Sequence, residues 1–348
     1  MEFSELQTYD KILNDLSKKR RKKHLLLGNG FSVSYDYKIF SYNALSTFIE
    51  NTNDKLLKEL FKGLKTKNFE MIMQELNNFI IIANLFKSDK NLIKNIKQTK
   101  EKLKTNLIEA VKTLHPEHVF KIPEEKSKLC SSFLEKFLSN DGYIFSTNYD
   151  LLLYWILMRN DIQNKTDGFG RALLNEPDEY VPDWEEEFSN ELLWGIHKEN
   201  QTIFYLHGAL PLFDTGVNVI KEVYDGEYLL SNIKTRMDKD EYPIFVTAGN
   251  SNEKLQQIKH NQYLTYCYDR LCQIDGSLVT FGFSFGENDE HIISAINKAH
   301  KRPYESRLYS IYIGVYNEND LKYIESIENK FHCKVNKWNA KTANIWGN

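Results

Sequence analysis

Short apolar runs that stop abruptly at glycine or polar loops, with helical stretches between them, limit what this chain can fold into more than any other feature. His24 to Leu27 runs into Gly28-Asn29-Gly30-Phe31-Ser32, and Tyr143 to Ser146 runs into Thr147-Asn148-Tyr149-Asp150. Ile203 to Leu206 meets His207-Gly208, and Leu278 to Phe281 meets Gly282-Phe283-Ser284-Phe285-Gly286. Runs of this kind, bounded by turn formers, read as strands buried on both faces. Pro243 to Thr247, Leu308 to Val315 and Lys334 to Trp338 add further strands. Helical stretches separate most of them: Tyr149 to Met158, Asn252 to Ile274, Asp289 to Ala299 and Asn319 to Phe331. Alternating strand and helix predicts an α/β fold, a doubly wound, Rossmann-like parallel sheet covered on both faces.

The chain, 1–348, reads as one domain with two interruptions. Between Asn43 and Ser139, Phe69, Ile72, Met73, Leu76, Phe79 and Ile80 recur at three- and four-residue steps, and Leu92, Ile96, Leu103, Leu107 and Val111 continue them, which predicts a helical insertion over 43–139. The polar and aromatic stretch from Asp161 to Asn200 predicts a second, smaller insertion, 161–200, in which Trp184, Phe188 and Trp194 form a local core or an interface. With 45 basic against 48 acidic side chains the net charge is -3, so the molecule as a whole is no electrostatic trap for nucleic acid. The run from Lys18 to Lys23 reads as a solvated helix end. Cys130, Cys267, Cys272 and Cys333 form no CxxC pair, which argues against a disulfide framework and a four-thiolate zinc site and for reduced cysteines in a cytosolic protein. No run reaches the ~20 apolar residues a membrane span needs, and Met1 to Arg20 lacks a signal-peptide core, so a cytoplasmic chain is expected.

In an open parallel sheet, ligands bind beyond the carboxyl ends of the strands. The glycines of the first loop permit tight curvature, and free amides at the following helix start can hold a pyrophosphate; the bland alternative is a plain turn. The dehydrogenase fingerprint fails, because Val33 stands at the third glycine position. Asn148 and Asp150 either cap the following helix or face a ligand. His207 beside Gly208 has room for a ligand, Asp289 suits a helix start, and His291 either contacts a ligand or packs under its loop. His115-Pro116-Glu117-His118 resembles a set of metal ligands, but the proline breaks the helix that would align them and no third ligand is near, so no metal is expected. Cys267 and Cys272, five apart on one helical stretch, face different directions and should pack.

Gly-Asn-Gly-Phe-Ser, Ser-Thr-Asn-Tyr-Asp, His-Gly, and Gly-Phe-Ser-Phe with Asp289 and His291, in this order and each after a strand, resemble the bacterial sirtuin-like family over Leu25 to Ile292. The resemblance implies that Gly28, Asn29, Gly30, Phe31 and Ser32 hold the NAD diphosphate. It places Thr147, Asn148 and Asp150 around the nicotinamide ribose, makes Asn148 and His207 catalytic, lines the rest of the dinucleotide with Gly282 and Ser284, and has Asp289 and His291 support that loop. It further implies an NAD hydrolase that releases nicotinamide and ADP-ribose, depletes NAD in antiphage defence, and assembles as a homo-oligomer or with a partner protein from the same system. Asn29 stands where classical sirtuins carry Ala, Phe40-Ser41-Tyr42 is only a loose substitute for their Pro-Asp-Phe-Arg segment, and their zinc ribbon of two CxxC pairs is absent. The alternatives are a non-catalytic sensor of NAD or ADP-ribose and a protein deacylase, and the missing ribbon, which helps form the acyl-lysine cleft, speaks against the second. The residue types agree with glycosidic cleavage, since an Asn amide can hold water and ribose hydroxyls together, and a histidine near neutral pKa can take a proton from either.

Overall fold

The computed structural model describes residues 2–37, 55–64, 69–114, 119–174, 187–224, 228–239, 241–246 and 250–347. Six strands form an all-parallel sheet: β1 (Lys23–Leu27), β2 (Ile144–Ser146), β5 (Ile203–Tyr205), β9 (Gly276–Phe281), β10 (Leu308–Val315) and β11 (Lys334–Asn339). Five more make an antiparallel sheet: β3 (Phe169–Leu173), β4 (Phe188–Trp194), β6 (Gly208–Asp214), β7 (Val219–Lys221) and β8 (Pro243–Phe245). The parallel sheet runs β11-β10-β9-β1-β2-β5 in space. Counted along the chain from the β5 edge this is 3-2-1-4-5-6, the order of dinucleotide-binding sheets, with the reversal between β1 and β9.

The apolar runs become buried strands because both faces of the sheet are covered. Every residue of β1, β2, β5 and β9 is buried, and Phe145 stacks on Phe204 at 5.0 Å between ring centres. The helix Glu124–Leu138 buries Cys130, Phe133, Leu134, Phe137 and Leu138, a helical stripe that rests on β1 and β2. That helix is thus the crossover between those strands. The described part of the 43–139 stretch also holds the helices Lys55–Gly63, Phe69–Leu85 and Lys90–Leu114 and the short 3-10 helix Val119–Lys121. Residues 43–54, the Phe40-Ser41-Tyr42 segment, the His115 to His118 cluster, Trp184 and Thr247 lie outside the described residues.

One expectation is corrected by long-range pairing. The Pro243 segment is not part of the parallel sheet: it lies antiparallel to β6, with Gly208 opposite Phe245. The 161–200 stretch supplies β3 and β4 of the same second sheet, which continues through β8. Gly208 makes the second sheet possible. Its φ of +79° turns the chain out of β5 into β6, and a Cβ there would overlap the Ile244 carbonyl. The stretch Asn252 to Ile274 is two helices, Ser251–His260 and Gln262–Leu271. Asn261 between them is extended, and its side chain accepts from Leu264 N, starting a new helix.

The basic run is absorbed locally. Lys19 donates to the Tyr312 hydroxyl at 3.2 Å, Arg21 lies 4.4 Å over the Tyr309 ring, and Lys22 pairs with Asp275. All four cysteines are free thiols; burial pushes Cys333 up to about 11 and Cys267 up to about 12, so neither is a thiolate at neutral pH. Among the described residues no helix is long and apolar enough to cross a membrane.

Candidate active site

Four strand ends finish level. Leu27 pairs with Ser146 and with Phe281, and Ser146 pairs with Tyr205, so one row crosses β9, β1, β2 and β5. The loops that begin at the next residues therefore emerge side by side, with neighbouring strands ~4.8 Å apart. All four motif loops of the sequence are brought together at this edge. Asn148 and His207 each lie two residues beyond the paired Ser146 and Tyr205, on adjacent strands.

The first and last loops touch through glycine. Gly28 N donates to Phe281 O at 3.0 Å and Gly30 N to Gly282 O at 2.9 Å. Gly282 has φ +67°, and a Cβ on it would stand 2.5 Å from Phe31 N. A Cβ on Gly30 would stand 2.6 Å from Gly282 Cα. The three glycines are thus accounted for by the contact between the loops, and Phe31 N donates to Gly28 O within the first of them. Phe31 is buried against Trp346, at 5.2 Å between ring centres, and the Trp346 Nε1–H donates to Phe31 O and to Ser34 Oγ. This anchor from the end of the chain had no sequence signal. Asn29 is half-buried and Ser284 exposed on the same rim.

Behind that rim lies a buried polar chain. The Asn148 amide donates to Gly28 O at 3.0 Å and to Ser32 Oγ at 3.1 Å, and Ser32 Oγ donates to Asp150 Oδ2 at 2.6 Å. Asp150 Oδ1 accepts from Leu152 N at 2.9 Å, and Thr147 Oγ1 donates to Leu27 O. The two readings of this loop divide between its residues: Asp150 holds the helix start, whereas Asn148 reaches across to β1. Burial raises the Asp150 carboxyl above its usual range, against the pull of the Ser32 and Leu152 hydrogen bonds. Both Asn148 N–H groups are committed, which leaves the Oδ1 edge as its acceptor.

On the β5 side, His207 Nε2 lies 2.9 Å from His291 Nε2, and both rings are buried. Asp289 accepts from Lys254 Nζ at 2.7 Å, and Ser251 Oγ accepts the His291 backbone N–H at 2.6 Å. Burial, and then the neighbouring His291 and Lys254, hold His207 well below the usual histidine range; burial above all pushes His291 down to about 4. Both rings are neutral at pH 7. His207, Asp289 and His291 bring ligand-capable atoms within 4.8 Å of one another, although Lys254 already holds the Asp289 carboxylate. Lys254 and Ser251 escaped the sequence reading. One signal was there: Lys254 falls four residues before Ile258, on the buried stripe of its helix.

No curated protein matched the chain in a sequence search. A family model described as a domain of unknown function, DUF4917, matches residues 25–346, a span that takes in both sheets and every loop of the site. The chain belongs to the DUF4917 family.

Proposed function

We propose that this protein hydrolyses NAD to nicotinamide and ADP-ribose, with Asn148 and His207 as its catalytic residues. The observation that carries the reading is their placement at level ends of adjacent strands, beside the glycine loops at the reversal of a 3-2-1-4-5-6 sheet. The ribose-nicotinamide bond breaks with its electron pair passing to the pyridinium nitrogen, which leaves as neutral nicotinamide. Water bonds to the oxocarbenium-like C1′ and gives its proton to His207. Asn148 Oδ1 orients that water or a ribose hydroxyl, and Ser32 and Asp150 hold the amide in place. The dinucleotide lies across Gly28 to Ser32 and Gly282 to Ser284. By the same reading its role is NAD depletion in antiphage defence, switched on by assembly with itself or with a partner protein.

One observation favours a second reading. Asn148's N–H groups and His207's Nε2 are all engaged within the protein, as they would be in a sensor that binds NAD or ADP-ribose without cleaving it. Incubation of the purified chain with NAD and quantification of products separates the two. Equal amounts of nicotinamide and ADP-ribose are expected; saturable NAD binding with no product identifies the sensor.

A further inference from the structure

His207, in the loop after β5, and His291, in the first turn of the helix Glu290–His300, are 84 residues apart and meet through like atoms, Nε2 to Nε2 at 2.9 Å. Neutral imidazoles sustain that contact only when one carries its proton at Nε2 and the other keeps a lone pair there. His291 is gripped from its far side. Ser251 Oγ lies 3.3 Å from its Nδ1 as well as accepting its backbone N–H. One turn further along the same helix, Lys254 fastens Asp289, two residues before His291.

We infer that His291 is a positioning residue for His207: it occupies the Nε2 edge and accepts the proton there, so that the Nδ1 edge faces the ligand with its lone pair free. The inference rests on the hydrolase reading, which requires a base at His207. Of the two possible arrangements only one leaves such a base. Were His291 the donor, His207 would carry its own proton on Nδ1 and have no lone pair to offer. In the productive arrangement His291 donates Nδ1–H to Ser251 Oγ and accepts Nε2–H from His207. When His207 then takes a proton from water at Nδ1, the imidazolium that forms is stabilised by its Nε2–H bond into His291, and no second proton moves. A divalent cation held by His207, Asp289 and His291 would need a lone pair from each imidazole and the Asp289 carboxylate, which Lys254 already holds. It would also sit beside a buried ammonium, so the charges favour the hydrogen-bonded pair.

The tautomers can be read without any turnover. In protein labelled with ¹⁵N-histidine, long-range proton-nitrogen correlation at neutral pH should show His207 protonated at Nε2 and His291 at Nδ1. The reversed pattern, or a one-to-one zinc complex through both Nε2 atoms, overturns the inference. In kinetics, His291→Leu should lower kcat about 10²-fold, the usual scale of a misplaced general base, with KM within about twofold. His291→Gln, whose Oε1 can accept the same N–H, should restore most of kcat, and thermal melting of both variants reports whether they fold. A folded His291→Leu with wild-type kcat, or a folded His291→Gln no better than Leu, overturns it too. The expected tautomers in a chain that leaves NAD intact would instead refute the hydrolase reading while the pair stands.

Discussion

Lys254→Met takes the ammonium out of a 2.7 Å ion pair whose side chains are only 4% and 16% exposed. Methionine keeps most of the stem, so the loss is chiefly electrostatic. Breaking a buried pair from one side costs roughly 3–5 kcal/mol, because the other charge stays behind. The charge left is Asp289, which retains more water than the lysine, so the lower end, about 3 kcal/mol, is expected. Asp289→Asn strands the more deeply buried lysine and should cost more, about 4 kcal/mol. The double variant removes both charges, and its loss should be well below the sum of the singles. At about 2.1 cal/mol/K of unfolding entropy per residue over 348 residues, 3 kcal/mol lowers Tm by about 4 °C. Scanning calorimetry at pH 7 measures all three variants. Additive losses, or Asp289→Asn milder than Lys254→Met, would refute the reasoning.

Gly208→Ala should cost more than about 3 kcal/mol, because it combines a left-handed backbone with overlap onto Ile244 O; a variant that melts within a degree of wild type contradicts the account of the junction between the sheets. His291, pushed down to about 4 from the ordinary 6.5, binds fewer protons folded than unfolded, so stability rises with pH across that window. Its contribution is fully present above about 6.5 and is lost as the pH falls towards 4. Denaturant melts at pH 4.5 and 7 should show a smaller difference for His291→Gln than for wild type, by about 2 kcal/mol, and an unchanged difference refutes the assignment. Because a constitutive hydrolase would exhaust its host's NAD, specific activity should climb with protein concentration or on addition of a partner protein; linear turnover by a demonstrated monomer rules that out.

The parallel sheet was legible because all its strands but β11 are compact apolar runs, and burial on both faces leaves that pattern in the sequence. The antiparallel sheet was not. Residues of β4 alternate poorly and stay half-exposed, β6 contains a proline, and Pro243–Phe245 looks locally like any buried strand. Its partner, the segment after Gly208, is set by contacts between residues distant in the chain, which local pattern does not encode. The break at Asn261 was written in the sequence as a cap residue but masked by the apolar periodicity on either side. Within the site, the loops that converge were visible as motifs, whereas the links between them were not. Asn148 reaching Ser32, His207 meeting His291, and Lys254 fastening Asp289 each join segments distant in the chain, and only the fold brings them into reach.

Asn148→Ala tests the central claim most directly. The variant leaves the buried Gly28 O and Ser32 Oγ without the amide, a loss of about 1–3 kcal/mol, so thermal melting first establishes that it folds and it is then compared with wild type at equal protein concentration. Wild type should release nicotinamide from NAD, and the folded variant should release at least about 10²-fold less, the scale expected when the group that positions water and ribose is removed. A folded Asn148→Ala that releases nicotinamide at the wild-type rate would contradict the account.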